Sequence, residues 1–128
     1  IFRNIKLNFA FKIDSKLYSF YEGIKDGKVT GYAFIDAHNV RTLPETFLVT
    51  IDESGTAKKT IILAFHEPLE YMPIERWYKQ FEGKTLEKNP IWPGRDIAGV
   101  LGSTLSVRAI SSGVRKALAL HKILIQEK

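Results

Sequence analysis

Residues 95–120, RDIAGVLGSTLSVRAISSGVRKALAL, decide the fold, because they read as a loop that turns into a helix. The apolar residues Val107, Ile110, Val114, Ala117, Leu118 and Leu124 recur at steps of three and four, which sets them along one helical face. Such a face requires a core to pack against. Just before it, Gly99, Gly102, Ser103, Thr104 and Ser106 crowd the point where the first backbone N–H groups of a helix have no acceptor within it. That entrance is either capped by Ser103 or Thr104 or suited to an anion. It is not a nucleotide-triphosphate loop, since no lysine follows the glycine in the required spacing.

Working back from the helix, the chain reads as hairpins. Leu17 to Gly23 and Val29 to Asp36 are two strands joined through Asp26-Gly27, a dipeptide suited to the positive backbone angles of a tight turn. Phe47 to Asp52 and Ala57 to Phe65 repeat the pattern around Glu53, Ser54 and Gly55, with Ile61, Leu63 and Phe65 on one face. The first residues, IFRNIKLNFAFK, alternate around Ile5, Leu7, Phe9 and Phe11, so residues 1–16 are expected to be an edge strand or a tether. Between the hairpins, HNVRTLPET is expected to be a loop, with Pro44 interrupting strand pairing and Arg41, Thr42 and Glu45 offering polar groups. In IERWYKQFEG, the residues Ile74, Trp77, Tyr78 and Phe81 have helical spacing and Gly83 ends the run. Trp77 is expected in the core. TLEKNPIWPG, with two prolines and no period, is the loop that leads into residues 95–120. These elements predict an α+β fold: a curved antiparallel meander with a short helix and a long C-terminal helix, opening at Thr104 and running to about Leu124, packed on it.

At 128 residues and 45% hydrophobic content the chain is read as a single domain, 1–128, with one core. It has no cysteine, so neither disulfides nor thiolate metal sites support it. The net charge of +5 comes from 19 basic and 14 acidic residues, and the lysines alternate with acids or sit in turns. No basic stripe interleaved with aromatics argues for nucleic acid, and a solvated surface, or attraction to anionic lipid and acidic partners, fits the balance better. His38, His66 and His121 form no ligand pair, and no G-x-S-x-G elbow occurs, so a metal site and a serine hydrolase are not expected. The first residue is isoleucine, and an N-terminal signal or anchor is expected upstream of it.

The run GSTLSVRAISSGVRKAL resembles the signature of the bacterial FMN-binding domain family, in which a G-A-T-(I/L/V)-(S/T)-S-x-A-(I/V) run opens a helix. That family includes the flavin subunits of Rnf and sodium-pumping quinone reductase complexes. The stretches KVTGYAFIDAHNVRTLPETFLVTIDESGTAKK and AFHEPLEYMPIERWYKQFEGK also resemble it, so the likeness runs from about Leu17 to about Leu120. The resemblance implies an electron carrier holding FMN, with Thr104 as the residue esterified through the flavin phosphate. Gly102 would let the backbone approach, Ser103, Thr104 and Ser106 would take the phosphate, Leu105 would sit against the ring or ribityl chain, and Arg108 would favour reduced flavin. Glu67 and Tyr71 are second-rank candidates near the flavin. The resemblance also implies an extracytoplasmic position, membrane redox proteins as electron donor and acceptor, and a flavin transferase if the bond is covalent. Ser103 stands where alanine is usual, Leu101 where serine or threonine is usual, and Ala98 where an aspartate is common, although Asp96 is close by. Those three positions favour the alternative, a cofactor-free extracytoplasmic module for sensing or protein contact.

Overall fold

The computed structural model describes residues 4–13, 16–40, 43–65, 73 and 75–126. Five strands pair in chain order: β1 (Asn4–Ile13), β2 (Lys16–Lys25), β3 (Lys28–Val40), β4 (Leu43–Ile51) and β5 (Ala57–Phe65). Every neighbouring pair is antiparallel, so the sheet is a plain meander. A 3-10 helix, Glu75–Phe81, follows it, and α1 (Thr104–His121) comes last, continued by a π-helical turn, Lys122–Gln126. The fold is therefore α+β, with α1 packed across β3, β4 and β5.

Local chemistry explains the turns. At the β2–β3 turn Asp26 and Gly27 both have positive φ, +53° and +77°, the signature of the type I′ turn whose twist matches the flanking strands. At the β4–β5 turn the Asp52 carboxylate accepts bonds from the backbone N–H of Ser54 and Thr56 at 3.0 Å each and from the Ser54 hydroxyl at 2.7 Å. One side chain thus does the work of a backbone ladder.

The expected loop around Pro44 is instead a third hairpin. β3 runs on to Val40 and pairs with β4 from Leu43, so that Pro44 lies opposite Asn39 inside the ladder. Pairs alternate between bonded and non-bonded along an antiparallel ladder, and next to the closing pair Val40–Leu43 proline falls where no N–H is needed toward β3. Toward β5 the described pairing ends at Glu45–Phe65. Glu45, expected as a polar group of that loop, is fully buried, while Arg41 and Thr42 lie outside the described residues.

Alternation sends one face of the sheet toward α1. Phe20, Phe34, Phe47, Val49 and Ile51 meet Val107, Ile110, Val114, Ala117 and Leu118 in a single buried cluster. The rings of Phe20 and Phe34 stack at 5.3 Å between centroids. Ile61 and Leu63 are exposed, on the face turned away from the helix. Gly113 lets α1 approach β4 closely, for a Cβ there would lie 2.7 Å from Cε2 of Phe47 and closer still to Cζ. Trp77, Tyr78 and Phe81 enter the core from the 3-10 helix, with the Trp77 ring edge-on to both of the others. Ile74 lies outside the described residues.

Candidate functional site

The chain from Ile91 to Ser103 contains no helix or strand, yet it is tied down at almost every step. The Asp96 carboxylate accepts the backbone N–H of Ile91 at 3.1 Å and of Trp92 at 2.9 Å, and Lys84 lies 3.2 Å from it. Burial alone would raise the Asp96 pKa, but these donors outweigh it and hold the carboxyl below its ordinary value. Ile91 is fully buried with φ at +53°, a conformation costly for a β-branched residue. Its carbonyl accepts Nη1 of Arg115 at 2.6 Å, so both of its backbone polar groups are held while its side chain packs in the core. That fixation displays Trp92 at the surface. The Arg115 guanidinium sits 4.3 Å from the centre of the indole ring, within cation–π range. Burial draws the Arg115 pKa downward and the charge of Asp96 opposes it; the guanidinium stays charged.

Further along, the Trp77 indole N–H donates to the Ala98 carbonyl at 2.7 Å, and the Ala98 N–H donates to Oε1 of Gln80, also at 2.7 Å. Position 98 therefore fastens the loop to the 3-10 helix through its main chain. Ser103 N–H closes a turn onto Val100 O at 3.0 Å, with Gly102 at φ +85° inside it, and α1 begins. Ser103 occupies the N-cap but makes no side-chain cap bond. Among the described residues the positive end of α1 thus has neither an N-cap side-chain bond nor an acidic residue in its first turn.

Between this loop and the flank of α1 lies a cleft of about 530 Å³, lined chiefly by Trp92, Gly99, Val100, Thr104, Arg108 and Arg115. Its size falls within the about 300–1,000 Å³ of ordinary small-molecule sites. Thr104, Arg108 and Arg115 lie one and two turns apart on the same flank, so a hydroxyl and two guanidiniums converge with an indole face. A second cleft of about 450 Å³, between β5 and the 3-10 helix, is lined by Lys59 and Lys79 as well as Glu75 and Glu82, so its charges balance and no cationic cluster gathers there.

Of the residues singled out in the sequence, Thr104 and Arg108 line the first cleft. Gly102 and Leu105 are exposed near the helix start without lining it, and Ser103 and Ser106 are buried beneath it. Glu67 and Tyr71 lie outside the described residues. Sequence reasoning missed Trp92 and Arg115. Arg115 follows Thr104 and Arg108 at helical spacing, so the periodicity that revealed the core stripe would also have revealed this flank. Trp92 gave only a weak signal, an aromatic residue in a proline-rich loop.

Among the described residues no group of three or more His, Asp or Glu side chains is placed to hold a metal ion, and no helix is long and apolar enough to cross a membrane. No family model matches this chain, and no curated protein matches it. The donor set fits a ligand that joins an anionic group to a planar aromatic one: guanidiniums, a hydroxyl and a helix N-terminus for the first, the Trp92 face with Val100 and Val107 for the second.

Proposed function

We propose that this chain is an FMN-binding electron-transfer domain that holds its flavin in the cleft beside the start of α1. The observation that carries the reading is the convergence of Thr104, Arg108, Arg115 and Trp92 on one cleft of suitable size. The phosphate would meet the Thr104 hydroxyl and the positive helix end, where its charge is favoured and no side-chain cap competes. Arg108 adds an exposed positive charge and Arg115 one held by the Ile91 carbonyl and the Trp92 ring, and Trp92 offers an apolar plane. When bound, the flavin would supply the redox chemistry, and the protein would supply orientation and electrostatics. Cationic groups beside it would favour its reduced, anionic form.

Thr104 is the residue we assign to covalent attachment, through a phosphoester formed by a flavin transferase. Its side chain is exposed in the cleft, whereas the competing hydroxyl of Ser103 is buried. In keeping with the motif it resembles, the domain would work on the extracytoplasmic side of a membrane, tethered there by an upstream segment, with membrane redox proteins as donor and acceptor. The burial of Ser103 and Ser106 gives the alternative its support: with fewer hydroxyls at the helix entrance, the fold would serve as a cofactor-free module for sensing or protein contact.

Colour separates the two. Protein purified from a host that supplies FMN and a flavin transferase should be yellow, with flavin fluorescence that survives denaturation. Thr104→Val should lose the bound flavin mass in peptide mapping, and Ser103→Ala should keep it. Flavin that washes out of the wild type would limit the claim to noncovalent binding, and colourless protein that ignores added FMN would favour the module.

A further inference from the structure

We propose that the rim of this cleft is a membrane-docking face, which settles on an anionic bilayer by inserting Leu101, Leu105 and Trp92 among the headgroups while Arg95 and Arg108 meet lipid phosphates. This inference does not rest on the flavin reading. Among the described residues six large apolar side chains are exposed, and three of them lie in the segments that form this cleft: Trp92, which lines it, at 51%, and Leu101 and Leu105, each next in sequence to a lining residue, Val100 and Thr104, at 103% and 46%. A single exposed leucine needs no explanation, but a cluster at one end of a molecule does. Leu101 is as open to water as a side chain can be, at the tip of the turn that Ser103 closes onto Val100.

Charge selects the occupant. From Asn89 to Arg115 the ionisable side chains are Arg95, Asp96, Arg108 and Arg115, three cations against one anion, and the next residue, Lys116, is paired with Asp36 of β3. The anion is spent internally on two backbone amides and Lys84. Arg95 and Arg108 are exposed, and the N-terminus of α1 adds positive potential at the same end. Apolar side chains that project from a cationic surface match a bilayer interface, where leucine enters the acyl boundary, an indole sits at headgroup level and arginine reaches phosphate. The net charge of +5 acts in the same direction at longer range.

The test is co-sedimentation of the folded protein with phosphatidylcholine vesicles and with vesicles of equal parts phosphatidylcholine and phosphatidylglycerol, with tryptophan emission followed in parallel. The wild type should bind the anionic vesicles and shift its emission to the blue, and Trp92→Phe should remove the shift. Leu101→Asp should weaken binding by tenfold or more, and Arg95→Gln by about fivefold, the effect of one basic residue near such a surface. Ile123→Asp makes the same charge change on the exposed turn after the opposite end of α1 and should leave binding within about twofold of wild type. An unchanged far-ultraviolet circular dichroism spectrum checks that each variant is folded. Absence of binding to anionic vesicles overturns the proposal, as does equal loss from Leu101→Asp and Ile123→Asp, which would mean attraction by net charge alone. Capture of this face by an acidic protein with the vesicles left alone also overturns it.

Discussion

Replacing Gly113 with alanine should destabilise the protein, although the same change in an exposed helix would stabilise it. Gly113 is buried in the middle of α1, where glycine costs about 1 kcal/mol relative to alanine. An added Cβ would lie 2.7 Å from Cε2 of Phe47 and 3.0 Å from Cε1, and nearer still to Cζ, so the ring or the helix must move. Phe47 is 1% exposed and enclosed by the main core, which leaves its ring little room to yield. Overpacking of this kind costs about 1–3 kcal/mol, and this contact sits at the severe end, so a net loss of about 1–2 kcal/mol should remain after the propensity gain. Urea denaturation at constant m-value reads it directly. The exposed neighbour Ser112→Ala supplies the control, since it should gain about 0.5 kcal/mol from propensity alone. Adding Phe47→Leu makes the argument sharper: the double variant should be more stable than the sum of its parts by roughly 1 kcal/mol, because the smaller side chain makes room for the methyl. A Gly113→Ala protein as stable as wild type, or simple additivity with Phe47→Leu, would refute the close approach of helix and sheet.

Other substitutions test other joints. Leu118→Ala, at a site 2% exposed, should cost about 2–4 kcal/mol by the same denaturation assay, and a loss below about half a kilocalorie would mean that the helix face is misassigned. Asp96→Asn should lower stability by about 1–3 kcal/mol and change Trp92 emission, because the carboxylate that holds Ile91 and Trp92 becomes a weaker acceptor. His121 is fully buried, neither ring nitrogen has a hydrogen-bond partner among the described residues, and burial lowers its pKa below the ordinary 6.5 while the charge of Asp52 acts the other way. The unfolded chain therefore takes up this proton first as pH falls, and the stability contributed by the neutral ring is lost from about pH 6.5 down to the lower folded value. Thermal melts at pH 7 and at about pH 5.5 should differ more for the wild type than for His121→Leu; equal differences would count against the buried neutral imidazole.

The sheet and the helix were legible in the sequence because their signals are local. Asp26-Gly27 announces its turn through backbone angles that few other dipeptides tolerate, and the stripe from Val107 to Leu118 follows from helical spacing alone. Pro44 misled for a physical reason: proline removes one donor, and whether that donor was needed depends on the phase of the ladder, which residue types do not reveal. The loop before α1 was the least legible part. Ile91 and Ile97 are core residues of a segment without period, and their burial depends on Asp96, Gln80 and Trp77 reaching across from other turns. The same holds for the cleft. Thr104 and Arg108 could be named from the motif, but Ser103 and Ser106 could not be told apart from them until the helix had been rotated against its core. Trp92 and Arg115 become neighbours only once the loop folds back.

The order of the elements along the chain has a consequence for biosynthesis. All five strands are complete by Phe65, yet the helix that covers Phe20, Phe34, Phe47 and Val49 does not begin until Thr104. A meander forms from neighbouring hairpins without waiting for distant partners, so the sheet can assemble while the ribosome is still at work. At about 5–20 residues per second the interval between Phe65 and Thr104 lasts roughly two to eight seconds, and during it a ring-lined sheet surface is not yet covered by α1. A nascent chain stalled before Thr104 should therefore draw chaperones or clump with its neighbours, and the emergence of the last helix is the moment at which each copy becomes safe from the next.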